Sequence, residues 1–480
     1  MSDTNKRQKI FEAFEMSAAG CCSNKYAKPF GLQLDGDMAK RVLDPPQNGD
    51  GGGGQVGLPE FDLSSRDWRD ACLQSKMEVP AGYTYFGQLI GHDLGHSVPL
   101  AQVPHTERPR DVQMAAQTDF EPTRYNIIEN PLTLGTLYGA GPVTLHHLFD
   151  PKTYLFRIKR RNVMTHAHVG GDASVRALYD SRNRDTHVLH RLTAILMKFH
   201  NQVARRAYLA LESDGQSPKN RKETSYVLAR AHVLEVWHHL IVTDFLPQFV
   251  HPDVMALSTA DLESYPLLGE TSLLHGVMRA FHALPRRKYK FPELRKLSEL
   301  LLASPEDDER IISGWPLDWS LFFDGQAGGT KTGVCASFSP KFAPVNGISI
   351  AQLDLATARI TGALKLQSTA VAGIRSQMPP EWSNRLSAAV LAQEFTSKHA
   401  SAFDWSVDAA DIRKAPLFLI LMIEAQLYGD KGGFGHLGSI MLRRTVMHAI
   451  GQVRFTSPAY VVADLPRPNS MLELISMTDQ

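Results

Sequence analysis

Apolar residues recur at three- and four-residue spacing along seven stretches of this chain, and no other property of the sequence limits its fold as much. The stretches are 83–96, 186–211, 222–242, 271–283, 350–362, 382–398 and 434–453. A side chain at every third or fourth position returns to the same side of a helix, so each stretch can bury one stripe. Period-two alternation, the mark of a strand, occurs only in short runs. Turn-rich segments at 121–130, 213–220 and 325–332 separate the helices without forming a long linker. The expectation is a mainly α protein, one large helical domain with very little β structure. The run NGDGGGG at 48–54 cannot nucleate structure. Residues 1–60 are therefore expected to form a flexible extension, and 61–480 the folded domain.

Charge and cysteine content narrow the function classes. Lys and Arg number 51 against 50 Asp and Glu, a formal charge of +1, so no overall field draws nucleic acid or an anionic membrane. A small neutral reactant is the better default. The four cysteines, Cys21, Cys22, Cys72 and Cys335, form no CxxC pair, which argues against a disulfide scaffold or a zinc ribbon. The first residues lack the long apolar core of a signal peptide, and the longest apolar run, at 417–423, is far short of a membrane span. A cytoplasmic protein without a transmembrane segment is expected; oligomeric state is not legible.

Two segments place polar groups where a helix would bury them. In AGYTYFGQLIGHDL, residues 81–94, Gln88 and His92 stand at i and i+4 and share a face of an otherwise apolar helix. Desolvating an imidazole and an amide is costly unless both find partners, which fits a pocket wall and equally a core histidine bonded to a carbonyl. His92 and His96 also make an HxxxH, a weak metal pattern without the glutamate of the hydrolytic motif. In the second segment, 179–204, an approach loop with Arg182 and Asp185 leads into a helix with Leu189, Leu192, Ile195, Leu196, Phe199 and Val203 on one side. Asp185 there can act as a helix cap, and Arg182 as a surface cation.

YFGQLIGHDL resembles the distal helix of the animal-type haem peroxidase family, in the peroxidase-cyclooxygenase superfamily, with Gly87, Gln88, His92 and Asp93 matching in order and spacing. The run from Asp180 to Asn201 is similar to the family's G-D-x-R-x-x-E and the L-x-x-x-H-N that follows it. LLHGVMRAFHALPRRKYKF, beginning at Leu273, resembles the family's A-x-R-x-G-H helix through Arg279 and His282, with Phe281 in place of the glycine. WPLDWSLFFDG at 315–325 and GFGHLGSIMLRRTVMHAI at 433–450 are similar to bacterial members, so the likeness spans about residues 60–455. It implies a haem peroxidase-like domain with His92 above the iron, His282 as axial ligand below it, Arg182 and Gln88 beside His92, and Arg279 near the haem. His200 and Asn201 are read as structural. His275, His238 and His239 are rivals for the axial place.

The departures from the family pattern carry expectations of their own. Gly91 replaces the aspartate that forms one haem ester, Thr186 stands where a methionine link would form, and Asp185 is shorter than the glutamate of the other ester. Haem b held without covalent links is implied. In ENPLTLGTLYG, at 129–139, Thr133 and Gly135 replace calcium ligands, so calcium binding is expected to be lost or weak. Cyclooxygenases and fatty-acid dioxygenases carry a tyrosine three residues before the axial histidine, where this chain has Arg279. The expected activity is reduction of hydrogen peroxide with oxidation of a small-molecule donor. A haem-dependent oxygenase acting on a fatty acid or metabolite, and a haem-binding relative without catalysis, are the alternatives.

Overall fold

The computed structural model describes residues 78–99, 124–126, 128, 131–159, 163–164, 166–170, 173–176, 178–184, 186–212, 217–268, 276–278, 280–285, 288–290, 294–296, 316–324, 329–334, 369–399, 407–414, 417–453 and 464–478. Helix α1, Gly82–Leu94, is enclosed on all sides: every residue but Gly91 is buried. The one-sided stripe expected of it is thus a helix buried all round, the pattern of a central core element. Two glycines allow this. A Cβ at Gly87 would lie 2.4 Å from the Phe281 ring, and one at Gly82 would lie 2.7 Å from the Phe322 carbonyl oxygen.

Around α1 stand α2, His187–Ala210, and α3, Pro218–Leu240. Thr186 starts α2 by accepting from the Leu189 amide, and Ser217 starts α3 by accepting from the Asn220 amide, one residue before Pro218. Asp185, the expected cap of α2, lies outside the described residues, and the neighbouring threonine fills that role. Helix α3 runs on through one π turn, Ile241–Phe245, into α4, Leu246–Phe249. The π turn presents Asp244, which accepts from the Tyr83 hydroxyl at 2.6 Å and from the Met471 amide at 2.8 Å. It therefore ties α1 to the C-terminal helix.

The chain continues through α5, Pro252–Met255, α6, Ala280–Ala283, α7, Ala388–His399, α8, Leu417–Tyr428, α9, His436–Gln452, and α10, Met471–Thr478. The helix expected over 382–398 is two, Pro380–Arg385 and α7. The break is set by Ser387, whose hydroxyl accepts from the Val390 amide and starts the second helix anew. The apolar run at 417–423 opens α8, with Leu417 and Ile420–Ile423 buried. The stretch 350–362 and the proposed extension, 1–60, lie outside the described residues.

Among the described residues the β structure is five two-stranded antiparallel pairs, the longest joining His166–Gly170 to Ala173–Arg176. The mainly helical expectation holds. No described helix is long and apolar enough to cross a membrane.

Candidate active site

The site is built at the C-terminal end of α1. The turn Ser181–Arg184, just before α2, folds back because Asp180 accepts from the Arg182 amide at 2.9 Å. That turn brings Asn183 to α1, where its Oδ1 lies 2.7 Å from Nδ1 of His92. An amide oxygen has no proton to give, so Nδ1–H of His92 donates and the lone pair sits on Nε2. The second nitrogen is thereby set as the base. Both residues are buried, His92 at 2% and Asn183 at 2% exposure.

Arg182 closes the same end of the helix. Its Nη2 donates to the His92 carbonyl at 2.9 Å and its Nη1 to the Gly95 carbonyl at 2.8 Å, satisfying acceptors that a terminating helix leaves unpaired. The guanidinium also grips Asp180, with Nη2 2.6 Å from Oδ2 and Nε 3.0 Å from Oδ1. Burial pushes the Asp180 carboxyl up, but the Arg182 charge and hydrogen bonds, with His92 nearby, outweigh it and hold it down to about 2. The result is a buried ion pair that fixes the His92 turn.

Gln88, one turn earlier, donates from Nε2 to the carbonyl of Phe281 at 3.0 Å. Gly87 meets the Phe281 ring and Gly91 faces Met278, so α1 lies directly along the 278–281 segment. His282 follows Phe281 in α6. Aromatic rings line this junction: Phe281 is 4.9 Å from Phe249, 5.5 Å from Phe245 and 6.1 Å from Phe434. The structure thus brings Gln88, His92 and Arg182 together around one helix end. Arg279 and Asp185 lie outside the described residues.

The neighbouring polar groups have structural partners. Asp93 accepts from the Leu134 amide at 2.8 Å, the Thr136 amide at 3.4 Å and the Thr136 hydroxyl at 3.2 Å. Burial raises its carboxyl to about 6 against the lowering effect of those donors. These donors occupy the carboxylate that the resemblance gives to a cation. Leu132 and Leu134 there adopt left-handed backbone, φ 57° and 55°, and His238 steadies them by donating to the Leu132 carbonyl at 2.7 Å. His239 pairs with Asn469, and His275 lies outside the described residues. Asn201 brackets the backbone of Phe156, with 2.8 Å to its amide and 2.9 Å to its carbonyl oxygen. His200 meets the Tyr138 hydroxyl at 3.0 Å. The HxxxH pairing fails because α1 ends at Leu94 and Gly95 is extended, so His96 is off the helix.

Sequence reasoning missed Asn183 and the partnership of Asp180 with Arg182. A signal existed: a buried histidine needs an acceptor for one nitrogen, and the turn that delivers Arg182 also carries an amide.

No known family's sequence profile matches the chain, and no curated protein matches it. Solved structures do. The peroxidase A of Dictyostelium discoideum aligns over 85% of this chain and 85% of its own, with 10% identity and a TM-score of 0.50. The fold is shared. A fatty acid alpha-dioxygenase of Arabidopsis thaliana aligns over 84% of this chain and 70% of its own, with 15% identity and a TM-score of 0.50. A peroxidase and a dioxygenase thus stand equally near in fold, which fixes the helical scaffold and leaves the chemistry to the residues.

Proposed function

We propose that the chain is a haem-dependent oxidoreductase that reduces hydrogen peroxide and oxidises a small donor. The observation that carries this reading is the Asn183–His92 hydrogen bond, which makes Nε2 the basic nitrogen of a buried imidazole. The residues fit haem by their chemistry. His282 directly follows Phe281, the surround is apolar and aromatic, and a buried guanidinium–carboxylate pair stands close by; because Phe281 packs on Gly87, α1 and this segment would have to part to admit a macrocycle between them. His282 would be the axial ligand. Bound there, haem b would supply the redox-active iron at which peroxide is cleaved and the donor oxidised. His92 would move a proton at Nε2 between hydrogen peroxide and the departing oxygen, with the electrons for peroxide reduction coming from the donor. Arg182 holds the helix turn that aims His92, its own charge balanced by Asp180. Gln88 fixes the distance between α1 and the 278–281 segment.

Visible absorption with added peroxide tests this. The His92→Ala variant is expected to keep its Soret band while peroxide reduction slows by about 100-fold or more, whereas His282→Ala is expected to lose haem. Normal peroxide kinetics in the first variant would refute the role of His92.

A second reading, oxygenation of a fatty acid or metabolite, is favoured by one observation. Tyr85 of α1 and Tyr289 are both fully buried, with rings 6.0 Å apart, and burial first, then the neighbouring Tyr289, raises the Tyr85 hydroxyl far above its usual range. Such a pair can hold a side-chain radical away from water. Oxygen uptake with a fatty acid that disappears in Tyr289→Phe would favour this reading over the first.

A further inference from the structure

We propose that His251, Asp253 and His436 form a binding site for a divalent first-row transition cation, zinc being the best fit. The site is distinct from the residues around His92 and does not depend on haem.

The three residues come from two places in the chain. His251 starts α5, its Nδ1 accepting from the Asp253 amide at 3.2 Å, and His436 opens α9. Two hydrogen bonds join these ends: the Phe434 amide donates to the Phe249 carbonyl at 2.7 Å, and the His251 amide to the Ser439 side-chain hydroxyl at 2.8 Å. The ligand atoms of all three lie within 4.8 Å of one another. Oδ2 of Asp253 is 3.2 Å from Nε2 of His436 and 3.6 Å from Nδ1 of His251.

Those spacings decide the ligand class. Zinc bonds nitrogen and oxygen at about 2.0–2.2 Å, which sets neighbouring ligand atoms of a tetrahedron roughly 3.3–3.6 Å apart. The two distances, 3.2 and 3.6 Å, lie close to that edge length, so a cation would replace the proton shared by Asp253 and His436 and the Asp253 amide's hydrogen bond to Nδ1 of His251. Two imidazoles and one carboxylate suit zinc and its neighbours and not calcium or magnesium, which want oxygen ligands. Asp253 is 57% exposed while His436 is 5% exposed, so one side opens to water for the remaining coordination position.

The histidines are also held still, as a ligand set requires. His436 stacks on Trp382 at 4.3 Å on one side and lies 4.1 Å from the His251 ring. Without a cation these side chains are joined by two hydrogen bonds and two ring contacts. A metal would convert them into a brace between α5 and α9, behind the Phe249 and Phe434 rings that contact Phe281.

The test uses the full chain, stripped with a chelator and titrated with Zn2+ by calorimetry and metal analysis. One equivalent is expected to bind and to raise the melting temperature. Asp253→Ala, at an exposed position, is expected to melt like the parent without metal and to bind Zn2+ about 100-fold more weakly; His251→Gln and His436→Gln, which also lose a helix cap and a ring stack, should bind Zn2+ as weakly. No stoichiometric binding by the parent, binding that survives all three substitutions, or Mg2+ binding as tightly as Zn2+ would each overturn the site.

Discussion

A buried imidazole keeps one tautomer only if its surroundings choose it, and at His92 the choice falls to Asn183. Its amide oxygen accepts the Nδ1 proton at 2.7 Å, so a single side chain outside the pattern of any motif decides which nitrogen is basic. Asn183→Ala leaves a buried N–H without its acceptor, a cost of about 1–3 kcal/mol, and frees the ring to adopt the wrong tautomer. The expected outcome is a fall in kcat for peroxide reduction of about 10- to 100-fold with little change in KM, read together with an unaltered Soret band. A purely structural Asn183 would lower stability and leave kcat per haem unchanged. Asn183→Asp is the instructive contrast: its carboxylate still accepts from Nδ1, so kcat should be kept far better than in Asn183→Ala.

Elements in this fold are tied by single polar groups, and one of them titrates near neutrality. Glu424 on α8 accepts from the Leu437 amide at 2.7 Å and the Gly438 amide at 3.1 Å, the first turn of α9. Gly435 allows that approach, since a Cβ there would lie 2.5 Å from the Glu424 carboxyl carbon. Burial raises the Glu424 carboxyl to about 7, against the lowering pull of the two amides. A carboxyl held protonated longer in the folded chain than in the unfolded one favours folding at low pH. Its contribution is present below the unfolded value of 4.5 and is lost as pH rises through about 7. Melting temperature should therefore fall across that window, and Glu424→Gln, which cannot ionise, should flatten the fall while lowering stability at pH 5. An unchanged pH slope in the variant would refute it. Much of the element layout was legible: the three- and four-residue period gave α2, α3 and α9, although α3 begins at Pro218, behind a Ser217 cap, and not at the expected 222. The π turn at 241–245 and the break at Ser387 were not, because the first depends on Asp244 reaching Tyr83 and Met471, and the second on one serine that pattern-reading absorbs into a helix. Gln88, His92 and Arg182 were legible as a spacing, while the work of Arg182 on two helix carbonyls was not, since backbone acceptors carry no sequence mark.

At the scale of the molecule, α1 is the axle: it touches α2, α6, the π turn and the Ser320–Phe323 helix, and its glycines set how closely they approach. Position 281 is where this chain departs from the pattern it resembles, a phenylalanine standing in place of a glycine before His282, the proposed axial ligand. The ring fills the space over Gly87, so the departure and the glycine form one unit that neither motif reveals alone. The approach is tight enough to predict a strong non-additive effect. Gly87→Ala forces a methyl to within 2.4 Å of the Phe281 ring, and because that ring is wedged among Phe245, Phe249 and Phe434 it cannot swing away. Overpacking of this kind costs about 1–3 kcal/mol or more, while Phe281→Ala alone leaves a cavity costing about 3–5 kcal/mol. In the double variant the new methyl occupies part of the vacated volume, so its loss of stability should be smaller than the two single losses added, by about 1–3 kcal/mol. Thermal or denaturant melts of the four proteins measure this coupling directly, and strict additivity would show that α1 and the 278–281 segment do not meet as described.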